Sequence, residues 1–232
     1  MLASASLDSL LRNPHIWRGN QYARVAIESI PTGFGHLDAQ LPGGGWPRAA
    51  LTEILVDRQG IGEFSLLMPA LARLSKGKDW IVLVAPPHIP YAPALAGKTM
   101  DLSKIIIVNS VSEQEKFWAA ERCLRSKSCS AVALWAGGQT HQTYRRLQLA
   151  AETGQAWGVV FGSTALARHA SPAALRVMLA SEQGRLKIHL LKRRGGGGLP
   201  EIFLEEDREA GGVELPNPTS IQTPHRSRQR VA

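Results

Sequence analysis

Leu51-Thr52-Glu53-Ile54-Leu55-Val56-Asp57-Arg58-Gln59-Gly60-Ile61-Gly62-Glu63-Phe64-Ser65 is the stretch on which the fold turns. Its first part is largely apolar and predicts a strand over Ala50 to Val56. Two glycines follow, and from Glu63 to Ser75 the residues Leu66, Leu67, Leu71 and Leu74 recur at helical spacing. Strand, glycine-bearing loop and helix is the layout of a nucleotide-phosphate cradle. The working motif is Gly-x-x-x-x-Gly-Lys-Ser/Thr, in which Lys neutralises the phosphates and the hydroxyl holds magnesium. Here Glu63 stands where Lys belongs and Phe64 where the hydroxyl belongs. The opening glycine is missing, since Val56 or Asp57 occupies that region. A carboxylate beside a triphosphate is repulsive at close range. The loop of Gly60, Gly62, Glu63 and Phe64 is therefore degenerate, and neither a catalytic residue nor a bound cofactor is expected from it.

Outward from this loop, strands and helices alternate. Strands are predicted over Trp80 to Ala85, Lys104 to Val108, Ser130 to Trp135 and Trp157 to Phe161, and helices over Glu113 to Arg125 and Gln139 to Thr153. Strands apolar on both faces and separated by amphipathic helices imply an α/β fold, with a mostly parallel central sheet covered on both sides. After Pro172 the rhythm changes. Leu175 to Ser181 and Arg185 to Leu191, split by Glu182-Gln183-Gly184, read as an antiparallel hairpin at one edge of the sheet. Gly97-Lys98-Thr99 spells the end of the phosphate motif, but Ala92 holds the first-glycine position and a strand follows, so the match is a decoy.

Residues 1–28 read as an N-terminal arm, with Leu7, Leu10 and Leu11 on one face of a short helix and Trp17 beyond it. Residues 29–205 form the core domain. Residues 206–232 carry Arg226, Arg228 and Arg230 and little that is apolar, so a flexible basic tail is expected. Ahead of it, Lys192, Arg193 and Arg194 precede four glycines.

The 232 residues carry 27 Lys and Arg against 19 Asp and Glu, a net charge of +8. Such a balance suits polyphosphate or acidic protein partners, and DNA by non-specific electrostatics. The two cysteines, Cys123 and Cys129, exclude a disulfide framework and read as thiols in a reducing, cytoplasmic setting. His36, His88, His141, His169, His189 and His225 show no metal spacing. No apolar run reaches the roughly 20 residues of a bilayer span.

Ile30-Pro31-Thr32-Gly33-Phe34-Gly35-His36-Leu37-Asp38, then Leu41-Pro42-Gly43-Gly44-Gly45-Trp46-Pro47, then Leu51-Thr52-Glu53-Ile54 resembles the opening of a RecA-type core. With Leu67-Met68-Pro69-Ala70-Leu71, the pattern is similar to the ImuA family, the RecA-like accessory proteins of bacterial SOS mutagenesis. Leu51 to Leu179 also resembles the division inhibitor SulA. The resemblance implies a RecA-like phosphate-loop-type core. It also implies a non-catalytic adaptor of translesion DNA synthesis, with partners an ImuB-like inactive polymerase, an error-prone polymerase and RecA. SulA implies the alternative, a division inhibitor that binds FtsZ. Departures from the RecA pattern recur at three places: Glu63 with Phe64, Trp135 where a magnesium-orienting Asp is expected, and Ala85-Pro86-Pro87-His88 where a water-activating Glu is expected. The resemblance also places Lys192, Arg193 and Arg194 where a neighbouring RecA protomer would dock. Gly162 to Ser171, with Arg168 and His169, stands where RecA has its DNA-binding loop.

Overall fold

A computed structural model of the chain describes residues 28–110, 112–137, 140–182, 184–193 and 201–204. The arm up to residue 27 and the tail from residue 205, with the readings placed on them, lie outside the described residues.

The elements in chain order are β1 (Ser29–Ile30), α1 (Gly35–Asp38), β2 (Trp46–Pro47), β3 (Leu51–Val56), α2 (Met68–Ser75), β4 (Trp80–Val84), α3 (Ala92–Gly97), β5 (Ile105–Val108), α4 (Glu113–Arg125), β6 (Cys129–Trp135), α5 (His141–Gly154), β7 (Trp157–Ser163), β8 (Leu175–Glu182), β9 (Arg185–Arg193) and β10 (Glu201–Leu204). Short 3-10 turns occupy Leu102–Lys104 and Thr164–Arg168. Among the described residues, no helix is long and apolar enough to cross a membrane.

Eight strands form one sheet in the order β10-β9-β8-β3-β7-β6-β4-β5, and β1 and β2 pair separately. From β8 to β5 each neighbouring pair is parallel, while β8-β9 and β9-β10 are antiparallel. Alternate residues of a strand face opposite sides of a sheet, and here both sides are packed. Ile54, Ile81, Leu83, Ala133, Val159 and Val177 meet the α2 side, with Leu67 and Leu71. Leu51, Val82, Val84, Leu134 and Val160 meet Phe117 and Leu124 of α4 and Leu147 of α5. Burial on both faces is why these strands read as continuous apolar runs.

Local chemistry sets the helix ends. Ser112 accepts the Glu115 amide hydrogen at 3.2 Å at the start of α4. Glu113 and Glu115 lie in its first turn and Arg122 and Arg125 in its last, each of the sign that the helix dipole favours. Thr140 caps α5 in the same way, through the Thr143 amide. The helix expected from Glu63 begins only at Met68. Pro69 has no amide hydrogen for the Ser65 carbonyl, so an α-helix cannot continue backward through it, whereas a proline fits a first turn. Pro69 also explains Gly33, which has φ +90°. A Cβ built there would lie 2.4 Å from the Pro69 Cβ, so only glycine permits this approach of α1's leading turn to α2.

The expectation of a RecA-like phosphate-loop core is corrected. The sheet is mixed, with the antiparallel run β8-β9-β10 completing one side. The residues after β3 form turns closed on their own side chains rather than a phosphate cradle leading straight into a helix.

Candidate functional site

β3, β4, β6 and β7 all end at one side of the sheet, the side where open α/β sheets place their ligand crevices. A cleft of about 380 Å³ opens there, with Asp57, Arg58, Ala85, Lys116, Trp135 and Phe161 among its lining residues.

The loop after β3 closes against itself at the edge of this cleft. Gly60 and Gly62 have φ +81° and +98°, which turns backbone amides toward a common point. The Glu63 carboxylate sits at that point. It accepts the Gly60 amide hydrogen at 3.0 and 3.1 Å and the Ile61 amide hydrogen at 3.0 Å, and the residue is 6% exposed. Such clustered amides form an anion-binding concavity, and here the anion belongs to the chain itself. A phosphate entering this position has to displace Glu63 and then lie close to its negative charge.

Phe64 packs beside the plugged loop. Its ring lies 5.7 Å from that of Trp135, which stacks on Phe161 at 4.6 Å with 15° between planes. Phe64, Trp135 and Phe161 thus form one aromatic cluster at the ends of the strands. Across the cleft, Lys116 pairs with Glu113 at 2.6 Å, and Glu113 accepts the Gly137 amide hydrogen at 2.9 Å. These bonds tie the start of α4 to the turn after β6. Among the described residues, no group of three or more His, Cys, Asp or Glu side chains could hold a metal ion. The arrangement suits recognition of a surface or side chain, by an apolar floor and a charged rim.

The structure brings Gly60, Gly62, Glu63 and Phe64 together, and Trp135 with them. It sets the cationic end of β9 apart. Leu175 pairs with Thr52 on one side and Arg193 on the other, while Val56, which opens on the cleft, pairs with Leu179. Lys192 and Arg193 therefore lie at the opposite end of the sheet. Lys192 Nζ donates to the Ser171 carbonyl at 2.7 Å, and Arg193 donates to the Gln40 carbonyl. Trp17, Arg194, Arg226, Arg228 and Arg230 lie outside the described residues.

Three features escaped the sequence reading. Glu53 and Arg176, at 2% and 7% side-chain exposure, form a buried ion pair at 2.5 Å. Arg176 also donates to the carbonyls of Leu166 and His169, both at 2.9 Å, and so holds the turn over Thr164–Arg168 against the sheet. Trp46 stacks on Trp157 at 5.5 Å, and Trp157 donates to Thr52 Oγ1 at 3.0 Å. Tyr144 has a buried hydroxyl with no hydrogen-bond partner, and burial, with Glu53 nearby, pushes its pKa above the ordinary phenol value. For the ion pair the available signal was one charge among the apolar residues early in each strand, Glu53 in β3 and Arg176 in β8, which is costly unless the two meet.

Comparison with known proteins places the central segment. Residues 50–158 match the family model described as Cell division inhibitor SulA. The SulA proteins of Yersinia pestis (strain Pestoides F) and Yersinia pseudotuberculosis serotype O:1b (strain IP 31758) are each 28% identical over 95 residues. That overlap is 41% of this chain and 56% of each relative, so the chain spans little more than half the length of the curated relatives it matches. The crystal structure of SulA from Pseudomonas aeruginosa overlaps at a TM-score of 0.42 with 22% identity, covering 48% of this chain and 97% of that one. The SulA model matches residues 50–158 only, and β1, α1, β2, β8, β9 and β10 lie outside the matched segment.

Proposed function

We propose that this chain is a non-catalytic accessory protein of the SOS response that acts by binding other proteins. The observation that carries this reading is the Glu63 carboxylate on the Gly60 and Ile61 amides. A loop whose anion site is filled from within has no room for a triphosphate, and the aromatic floor beside it supplies no group for hydrolysis. What the domain offers is shape, an apolar cleft and charged margins.

Within that reading, the chain is an adaptor in damage-induced translesion synthesis, similar to ImuA. Its partners are an ImuB-like inactive polymerase, an error-prone polymerase and RecA. Support comes from structure outside residues 50–158. Trp46 packs on Trp157, and β8 lies directly beside β3, so the added elements are built into the body. The SulA-family match of residues 50–158 favours a second reading, a division inhibitor that binds FtsZ.

The test is a binding assay with the purified full chain, run against the mutagenic polymerases, RecA and FtsZ. The adaptor reading expects retention of the polymerases and RecA, with FtsZ assembly unchanged. Blocked FtsZ assembly without polymerase binding selects the second reading. ATP turnover by the chain itself overturns both.

A further inference from the structure

α4 and α5 lie side by side on one face of the sheet. The Phe117 and Tyr144 rings meet there at 6.3 Å, and Glu121 of α4 pairs with Arg146 of α5 at 2.5 Å. Phe117, Ala120 and Leu124 of α4 and Leu147, Ala150 and Ala151 of α5 turn inward. Helical spacing puts Trp118, Arg122 and Arg125 of α4, with Arg145, Arg146 and Leu149 of α5, on the outward side. Trp118 is 61% exposed and Leu149 46%, and the Arg122 guanidinium stands 5.7 Å from the centre of the Trp118 ring. Glu121 engages Arg125 and Arg146, while Arg122 and Arg145 form no ion pair among the described residues. An exposed tryptophan and leucine among four arginines has the composition of a binding surface. Its charge suits an acidic occupant, whereas a second copy of the same seam would set arginine against arginine.

We propose that residues 205–215 of this chain dock along the α4–α5 seam. Glu205-Glu206-Asp207-Arg208-Glu209-Ala210-Gly211-Gly212-Val213-Glu214-Leu215 carries five acids against one arginine, and its last residues set Val213 and Leu215 around Glu214. The acids pair with Arg122, Arg125, Arg145 and Arg146, and the two apolar side chains cover Trp118 and Leu149. The segment starts within reach. Leu204 pairs with Leu186, whose partner Ser181 lies near the carboxyl end of β8, so the chain leaves β10 at the end of the sheet where α4 and α5 begin. Five strand spacings, about 24 Å, separate β10 from β6 beneath α4. Eleven extended residues span up to about 36 Å. Single exposed charge pairs are weak, but tethering gives the segment an effective concentration of about a millimolar. Another acidic protein then reaches the seam only by displacing this segment. The proposal goes beyond the binding role stated above and depends on none of its partners.

The experiment compares the full chain with a neutralised variant carrying Glu205→Gln, Glu206→Gln, Asp207→Asn, Glu209→Gln and Glu214→Gln. The probe is a fluorescein-labelled peptide of residues 205–215, followed by anisotropy at low salt. The peptide should bind the neutralised variant about ten-fold more tightly than the parent, whose own segment competes for the seam. Adding Arg122→Glu and Arg145→Glu to the variant should weaken that binding by about ten-fold or more, with an unchanged circular dichroism spectrum. In the absence of peptide, the Trp118 indole resonance, assigned with Trp118→Phe, should move when the segment is neutralised. The resonance of Trp80, which is 39% exposed beside Lys104, should not. Equal peptide affinity for parent and variant, an unmoved Trp118 resonance, or binding that survives the arginine reversals overturns the inference. A Trp118 shift that varies with protein concentration assigns the seam to a second copy and overturns it too. None of these measurements uses the polymerases, RecA or FtsZ, so the function proposed above stands or falls separately.

Discussion

Arg176 on β8 and Glu53 on β3 occupy paired register positions, and their buried side chains meet at 2.5 Å. Such a pair contributes little compared with apolar residues of the same shape, but removing one member strands a charge in the core. Arg176→Met should lower the unfolding free energy by about 3–5 kcal/mol. The double variant Glu53→Leu with Arg176→Met should recover most of that loss. Denaturant titration of the singles and the double checks this, and simple additivity would show that the two are uncoupled.

Glu63→Ala should leave the amides of Gly60 and Ile61 without an acceptor, at a cost of about 1–3 kcal/mol. Glu63→Lys restores the cation of a phosphate loop but not its other parts, because Phe64 and Trp135 remain. Phosphate release from ATP by that variant should stay at background in a malachite-green assay. Turnover would show that the aromatic floor is no obstacle to hydrolysis.

Tyr144 buries a hydroxyl that bonds to nothing among the described residues. Tyr144→Phe should therefore be neutral or stabilising by up to about 1 kcal/mol in thermal melts. Its pKa is raised in the folded chain, so the neutral phenol is favoured there. The sign follows. This contribution to stability is complete below the unfolded value near 10.0 and is lost as pH rises toward the folded value. Tyr144→Phe should remove that part of the alkaline decline, and an unchanged alkaline limb would contradict the assignment.

Trp46 lies outside the segment that matches the SulA model but stacks on Trp157 inside it. Trp46→Ala should cost about 3–5 kcal/mol, as for a large core aromatic. A loss below about 1 kcal/mol would mean that residues 28–49 are an appendage rather than part of the core.

β10 is held to β9 partly by Lys187 and Glu201, 3.0 Å apart, while Ile202 and Leu204 are buried behind them. The hydrogen bond that Lys187 donates to the Glu201 carboxylate lowers the Glu201 pKa from its usual 4.5 and raises that of Lys187. The Glu201 contribution is thus present above 4.5 and is lost as pH falls through its lower folded value. The Lys187 contribution is present below 10.5 and is lost as pH rises beyond it. Amide protection factors of Ile202 and Leu204 should fall on the acid side, and Glu201→Gln should flatten that fall. Identical acid profiles in parent and variant would assign the docking of β10 to apolar burial alone.

Much was legible in the sequence because it depends on neighbours along the chain. Helix α4 spans Glu113–Arg125, the range that the spacing of Phe117, Ala120 and Leu124 predicts. That the loop after β3 carries neither the Lys nor the hydroxyl of a phosphate motif is a matter of residue type alone, since Glu63 and Phe64 stand there. The helix start at Met68 was missed because helical spacing outweighed Pro69 in the reading.

The sequence by itself determined strands β3 to β9 and helices α4 and α5, and which functional groups the loop after β3 lacks. Periodicity, caps and side-chain chemistry act within a few residues, so a linear reading reaches them. Tertiary structure alone decided that β3 lies between β7 and β8, that Glu53 finds Arg176 and Trp46 finds Trp157, and that Lys192 and Arg193 stand at the far end of the sheet from Glu63. Each of these joins residues distant in the chain. They are set by which strand order buries both apolar faces at once while leaving no charge unpaired within them.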